Sequence, residues 1–524
     1  MNVHSLTDRI HFVISIPDQL FRTDFLKPHS LRTGFGLVGF RGPWILMILI
    51  AVVATASGCD QMSNLIGSGG DEAEFRISHT GLVLAPDAQA RLTVRFRASE
   101  NDSFRDVSPG WRTDDSGVAT IDHAGTVRAV APGSTVIWGE LGSDRDSVTV
   151  HVRDPSAQSS VRWRSVSVGR YSVCALDTED QAWCWGSNWW GEVGKGTRRR
   201  VTVHVSPTRV AGGHRFAQVA VGANFTCGVT LDSELLCWGI ETSIGQGSND
   251  PQPAAEPTMP STDRRFSAVA TGERHACAVE VDGRVYCWGS NLAGQLGVGD
   301  FQQGWLTPTP IQSEERFSDV DAQSITSCAL AQDGRAWCWG YGAWGDLGRG
   351  AEPLGDSPVP EPVDGDHRFR TARTNCGIDV EGRTLCWGGW GAGLDRPEPT
   401  TFDPPTSPTP LRTDLGYDSV FTGFTQSCGL RDGDAYCWGS AAEERFASDV
   451  PPGDICGSAP CSWEPLPVSG GHRFAQLSLG PLSNCGVTVD GELYCWGSNP
   501  NGVLGAGTLE AVPDQPVRVE APVW

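Results

Sequence analysis

A Cys-Trp-Gly triplet occurs seven times in this chain, beginning at Cys184, Cys237, Cys287, Cys338, Cys386, Cys437 and Cys495, with spacings of 53, 50, 51, 48, 51 and 58 residues. Self-similarity at a period near fifty marks a repeat architecture: each unit is too small to bury both its faces alone, and stacking the units completes the core. Each triplet is preceded by another cysteine, at Cys174, Cys227, Cys277, Cys328, Cys376, Cys428 and Cys485. The residues between the two cysteines form a turn, often Asp-Gly, as in Asp282-Gly283.

Six of the pairs are ten residues apart and Cys428/Cys437 are nine apart. A three-residue loop, Val281 to Gly283, sets Cys277 opposite Cys287 in an antiparallel hairpin, with Gly283 in the left-handed conformation. A two-residue Asp432-Gly433 turn does the same for Cys428 and Cys437, so the register survives the deletion. Both pairs fall at non-hydrogen-bonded positions, where facing Cα atoms are about 4.5 Å apart and within disulfide reach. Of 17 cysteines, fourteen are used in this way. Cys456 and Cys461 share an insertion in the longest spacing, and Cys59 stands alone near the N-terminus. Zinc needs about four ligands converging on one point, whereas these pairs are distributed one per repeat. Disulfides formed in an oxidising compartment are the expected state.

Other positions recur with the cysteines. An aromatic stands eleven residues before the first cysteine at Trp163, Phe216, Phe266, Phe317, Tyr417 and Phe474, while Phe369 stands seven before, so the fifth repeat is four residues short. A proline lies upstream of each hairpin from the second onward, at Pro207, Pro257, Pro308, Pro360, Pro408 and Pro465. The run Cys287-Trp-Gly-Ser-Asn-Leu-Ala-Gly-Gln-Leu-Gly-Val-Gly299 is echoed from Cys495 to Gly507. These residues resemble the regulator of chromosome condensation repeat from Val161 to Trp524. The resemblance implies an all-β fold, a seven-bladed β-propeller of four-stranded blades, and a repeat of fifty residues has room for four short strands.

Before the repeats, Leu92-Val94-Phe96 alternate with polar residues as in a half-buried strand. With Trp111 to Asp122, Gly125 to Gly133 and Ser147 to Val152, they resemble the bacterial Ig-like domains of group 2, which implies a β-sandwich without a disulfide that serves as a spacer or adhesive module. The apolar run Pro43 to Ser57 follows Arg41 and ends at Ala56-Ser57-Gly58-Cys59. A basic flank, a short apolar core and small residues before a cysteine describe a signal peptide, and the pattern resembles a bacterial lipobox, with lipid attachment at Cys59. The expected layout is therefore a targeting segment (1–58), a tether (59–74), the Ig-like sandwich (75–153), a linker (154–160) and the propeller (161–524).

A net charge of −22 repels phosphate backbones and excludes nucleic acid as a partner. No catalytic constellation, metal site or cofactor cradle emerges. His214, His367 and His472 recur at one repeat position before Arg-Phe and read as loop elements. Asp282, Asp333, Asp432 and Asp490 are turn formers. Guanine-nucleotide exchange, implied by the family's name, does not suit an exported acidic chain. The candidate partner-binding residues are Trp189, Trp190, Trp344 and Trp390, all in the loops after Trp-Gly and outside the repeat pattern. An arginine precedes the repeat aromatic in six repeats (Arg162, Arg215, Arg265, Arg316, Arg368 and Arg473), with Gly416 the exception, and pairing with neighbouring carboxylates is expected. The expected function is a monomeric, non-enzymatic, membrane-tethered scaffold of the cell envelope that binds a protein or cell-surface polymer. The alternative is a propeller that binds or cleaves polysaccharide.

The repeat arithmetic also carries an expectation about ring closure. The first hairpin has Asp154 where the others have the upstream proline, and a surplus segment, Pro516 to Val519, follows the last hairpin. Closure by adding that segment to the first blade balances the count. For the cysteines, peptide mapping without reduction is expected to recover Cys277 joined to Cys287, and each other hairpin pair likewise, with each staple contributing about 2–3 kcal/mol. Links between repeats, or free thiols, contradict the hairpin pairing.

Overall fold

The computed structural model describes residues 74–519 apart from 78–80, 85, 99–102, 153–160, 197–202, 248–252, 303, 351–353, 390–404, 412–415, 441–445, 453, 457–458 and 510–514. Cys59, the targeting segment and Trp390 lie outside the described residues. From 74 to 152 short strands form three small sheets. Their alternating apolar residues, including Leu82, Leu92, Val94, Val127, Ile137, Val148 and Val150, meet in one core. Strand Gly81–Leu84 runs parallel to the end of strand Asp144–Val152, and the latter pairs antiparallel with strand Gly133–Leu141.

The repeats form seven successive antiparallel sheets, six of four strands and one, the sixth, of five. In the first blade the strands are Trp163–Val168, Ser172–Asp177, Ala182–Ser187 and Val203–Arg209. The first strands are innermost, and those of every blade but the fifth line a central channel, to which the fifth blade adds Arg373 just beyond its first strand. The second and third form the cysteine hairpin. Cys277 faces Cys287 in register, and Cys428 faces Cys437. The turn chemistry matches the two loop lengths: Gly283 has φ +90°, while Asp432 and Gly433 have φ +51° and +88°, as a tight two-residue hairpin with a right-handed twist requires. Seven disulfides lie within blades, with Cα–Cα distances of 4.0–4.1 Å. Cys461 is also disulfide-bonded, and strand Asp454–Cys456 pairs with the strand that carries it.

Adjacent residues on a strand point to opposite faces, so Cys184 and Trp185 divide the blade between two neighbours. One face carries the disulfide and the other carries the Trp-Gly tryptophan. At every seam the disulfide of one blade packs in a cluster with the tryptophan of the next. Cys174 and Cys184 join Trp238, and Cys227 and Cys237 join Trp288. The pattern continues through Trp339, Trp387, Trp438 and Trp496. It returns at Trp185, packed with Cys485 and Cys495 of the seventh blade. All seven of these tryptophans are almost fully buried.

A buried indole N–H needs an acceptor, and the preceding blade supplies one. Trp238, Trp288, Trp339 and Trp387 donate to the carbonyls of Glu192, Ser243, Gln295 and Asp346 at 2.9, 2.9, 2.9 and 3.1 Å. These carbonyls lie in the loop between the third and fourth strands, just before the repeated glycine. That glycine has φ +69° at Gly297, and a Cβ there would lie 2.9 Å from the Trp339 indole nitrogen. The Leu-Gly of the repeat is therefore a tryptophan seat as well as a turn.

The expected strand exchange does not occur. Strand Val517–Val519 pairs with Leu493–Gly497 of its own seventh blade, and the first blade is completed by Val203–Arg209. Each proline-led segment is the fourth strand beside the hairpin before it rather than a strand of the hairpin after it, and among the described residues only in the sixth blade does a further strand, Asp454–Cys456, lie outside it. Proline suits that place, because the outer edge has no ladder partner for the missing N–H. The ring closes instead through the same lateral contacts as the other seams. Trp185 donates to the Val503 carbonyl at 2.7 Å. The amides of Val166 and Val168 donate to Gln476 Oε1 and Ser478 Oγ at 3.0 and 2.9 Å.

Trp185→Phe keeps most of the apolar contact and strands a buried carbonyl. It is expected to cost about 1–3 kcal/mol, and Trp185→Ala about 3–5 kcal/mol, in equilibrium denaturation with a single transition. An unchanged midpoint for Trp185→Phe contradicts the role given to the indole N–H.

Candidate functional site

Antiparallel connection decides which loops share a face. The turns between first and second strands and the loops between third and fourth strands emerge on one side, here called the loop face. The hairpin turns emerge on the other. Trp189, Trp190 and Trp344 all stand in third-to-fourth-strand loops, hence on the loop face. They are 53%, 38% and 46% exposed, so they are not wedged between blades. They do not form one cluster, because Trp189 and Trp190 belong to the first blade and Trp344 to the fourth. Leu292, Phe301 and Trp305 of the third blade and Phe424 of the sixth are also exposed. Phe424 belongs to a first-to-second-strand turn, and the third-blade residues belong to or adjoin the third-to-fourth-strand loop. Leu292 lies within the repeat run Cys287 to Gly299, and Phe301, Trp305 and Phe424 lie well away from the Trp-Gly pairs, so sequence position alone does not single them out.

The exposed tryptophans sit on loops fixed from beneath. Glu192 is fully buried. Its carboxylate accepts the Trp190 amide at 2.7 Å and the Ser187 hydroxyl at 2.8 Å. Two residues after Trp344, Asp346 accepts the Gly389 amide and the Asn375 side chain at 3.2 and 3.3 Å, and the Trp344 amide also bonds to it. In the third blade the equivalent residue is neutral: Gln295 Oε1 accepts the Ala293 amide at 2.9 Å. Burial holds both carboxyls, Glu192 and Asp346, above the usual carboxylate range, against the opposing pull of these hydrogen bonds.

The repeated arginines occupy the hairpin-turn face and bind backbone more than carboxylate. Arg162 and Arg215 donate to the carbonyls of Asp490 and Glu179 at 3.1 and 3.0 Å, and Arg473 Nε donates to that of Asp432 at 3.1 Å. Each of these is a bond to the turn of the preceding blade. Arg265 alone follows the expected carboxylate pairing, with Glu234 at 2.8 Å. Arg316 and Arg368 bond to carbonyls in their own segments. His214, His367 and His472 lie against Phe216, Phe369 and Phe474 at ring distances of 6.1, 6.0 and 6.0 Å, which is a packing role.

The channel wall carries charges that the sequence did not point to. Arg373 and Asp319 pair at 3.0 Å, and the Thr374 amide donates to Asp321 at 2.9 Å. Arg170 pairs with Glu273. Burial raises the Asp321 pKa, partly offset by Arg373 and Thr374. Among the described residues no group of three His, Cys, Asp or Glu side chains is placed to hold a metal ion. No described helix is long and apolar enough to cross a membrane.

The chain is thus a disulfide-stapled β-propeller whose loop face presents tryptophans on braced loops. Regulator of chromosome condensation (RCC1) repeat models match residues 163–188, 216–243, 266–295 and 474–503, and 179–229, 282–330 and 490–523. A bacterial Ig-like domain (group 2) model matches 73–152. The protein carries RCC1 repeats behind a group 2 Ig-like domain. Among characterised relatives, the mitochondrial RCC1 domain-containing protein RUG3 of Arabidopsis thaliana is 26% identical over 44% of this chain, and the match spans about half (52%) of RUG3. The Arabidopsis thaliana ultraviolet-B receptor UVR8 is 27% identical over 65% of this chain and 78% of its own length. The crystal structure of human WBSCR16 shares the fold with a TM-score of 0.53 at 16% identity, covering 65% of this chain and 90% of that one.

A carboxyl whose folded pKa is raised favours folding most when protonated, below its ordinary range, and that advantage is lost as pH rises through the folded value. Glu192→Gln keeps an acceptor for Trp190, as Gln295 does in the third blade, and removes the buried charge. It is expected to raise stability at neutral pH, with the gain shrinking as pH falls towards 4, read from melting temperatures against pH. A loss of stability at neutral pH, or a gain that grows in acid, contradicts this assignment.

Proposed function

We propose that this protein is a non-enzymatic scaffold tethered to a bacterial membrane through lipid on Cys59, and that its propeller binds a protein partner through the loop face. The observation that carries the reading is the pair of braced loops bearing Trp189, Trp190 and Trp344. Large aromatic side chains exposed on a rigid frame lose little freedom on binding and bury much area, which is the character of protein hot spots. The repeated tryptophans are consumed in the seams, so these extra ones are not needed to hold the ring. The seven local disulfides suit an oxidising compartment. The apolar run ending at Cys59 supports export and anchoring, and the Ig-like domain is read as the spacer between membrane and propeller.

Two measurements test this. Cys59→Ser is expected to move the protein from the membrane fraction to the soluble fraction, and a variant that stays membrane-bound with its leader uncut makes the segment a simple anchor. The released Cys59→Ser protein, returned to native envelopes, is expected to bind saturably. Trp189→Ala with Trp190→Ala is expected to weaken that binding by at least about thirtyfold, corresponding to a hot spot of about 2 kcal/mol. Protease treatment of the envelopes is expected to abolish it. Binding that survives protease and disappears on removal of envelope glycans favours the polysaccharide reading.

A further inference from the structure

We propose that the loop-face end of the central channel binds a small zwitterion of the amino-acid or dipeptide class. This site is separate from the tryptophan-bearing loops and does not depend on the tethered-scaffold reading. The channel encloses about 380 Å³, within the range of small-molecule sites. Two bonds narrow it at the loop face. Arg170 of the first blade reaches Glu273 of the third, and Gln323 of the fourth reaches the Thr422 carbonyl of the sixth. Each skips a blade and so cuts across a corner of the ring.

An extended peptide added as a strand does not fit the walls. Along the inner strands the amides of Val166, Val168, Val221 and Val269 are already taken by Gln476, Ser478, Ser167 and Gln218 of neighbouring blades. What remains is a charged recess created by the short fifth blade. Its inner strand ends at Ala372, and Arg373 fills the missing wall beside Asp319 and Asp321. Arg373 Nη1 bonds to Asp319 and to the Ala372 carbonyl, which leaves the other guanidinium nitrogens as donors. Asp321 accepts the Thr374 amide through Oδ2 at 2.9 Å and faces the channel beside Arg373. Phe421 and Phe424 line the same end.

These groups are complementary to a ligand that carries both charges. A carboxylate meets the free donors of Arg373, an ammonium meets the Asp321 carboxylate beside it, and an apolar side chain lies against Phe421 and Phe424. The channel wall carries three arginines, Arg164, Arg170 and Arg373, against Glu273, Asp319 and Asp321, a balance that favours neither a simple anion nor a simple cation.

Calorimetric titration of the full chain with L-phenylalanine tests this, alongside hydrocinnamate, which lacks the ammonium, and phenethylamine, which lacks the carboxylate. Saturable binding of L-phenylalanine is expected, with both analogues at least about tenfold weaker, as befits the loss of one charge-assisted contact. Phe424→Ala, at an exposed position that leaves the fold intact, and Asp321→Asn are each expected to weaken it. No saturable heat with L-phenylalanine at millimolar concentration overturns the proposal. So does equal binding of either analogue, which makes the site a plain cation or anion site.

Discussion

The seam between a disulfide and a tryptophan is the interaction on which the rest of this structure depends. Each blade offers its Cys–Cys pair on one face and its Trp-Gly tryptophan on the other, and neither face is complete until the next blade arrives. The indole N–H makes the seam directional, because it must find a carbonyl in the preceding blade. That carbonyl is placed by a glycine turn that leaves room for the ring. The repeat is thus a unit whose two halves belong to two different interfaces.

Closure follows from the same interaction. Trp185 meets Val503 as Trp238 meets Glu192, although the first pair is 318 residues apart and the second 46. A strand exchanged between the ends is unnecessary, since every blade already holds its four strands. The cost of joining the distant ends is a loop-closure entropy that grows only slowly with length, and one well-packed seam offsets it. The local disulfides remove freedom from the unfolded hairpins without constraining the ring as a whole.

Much of this was legible in the sequence because the disulfide fixes the hairpin. Cys277 to Cys287 states both the register and the turn, and the nine-residue pair Cys428/Cys437 carries its own Asp-Gly correction. The fourth strand was misplaced because a long loop separates Thr208 from its partner Cys184, so nearness in sequence assigned it to the following hairpin. Glu192 and Asp346 were passed over because an acid in a Gly-rich loop reads as solvated; only the fold shows that the tryptophan seat buries it. Asp319, Asp321 and Arg373 belong together through a gap in the fifth blade. The four-residue deletion was visible, but what fills it depends on side chains contributed across a seam.

The loops that carry Trp189, Trp190 and Trp344 begin where the seams end, so the surface available to a partner is braced by the packing that closes the ring. Closure of the ring by its seams requires the terminal seam to be the equal of the internal ones. Hydrogen exchange of the tryptophan indole N–H groups, followed by NMR on the full chain, measures this directly. Equal and strong protection of Trp185, Trp238 and Trp288 is predicted, since each opens only when the ring does. Exchange at Trp185 orders of magnitude faster than at Trp288 would show that the ends meet without the clasp and that closure has another cause.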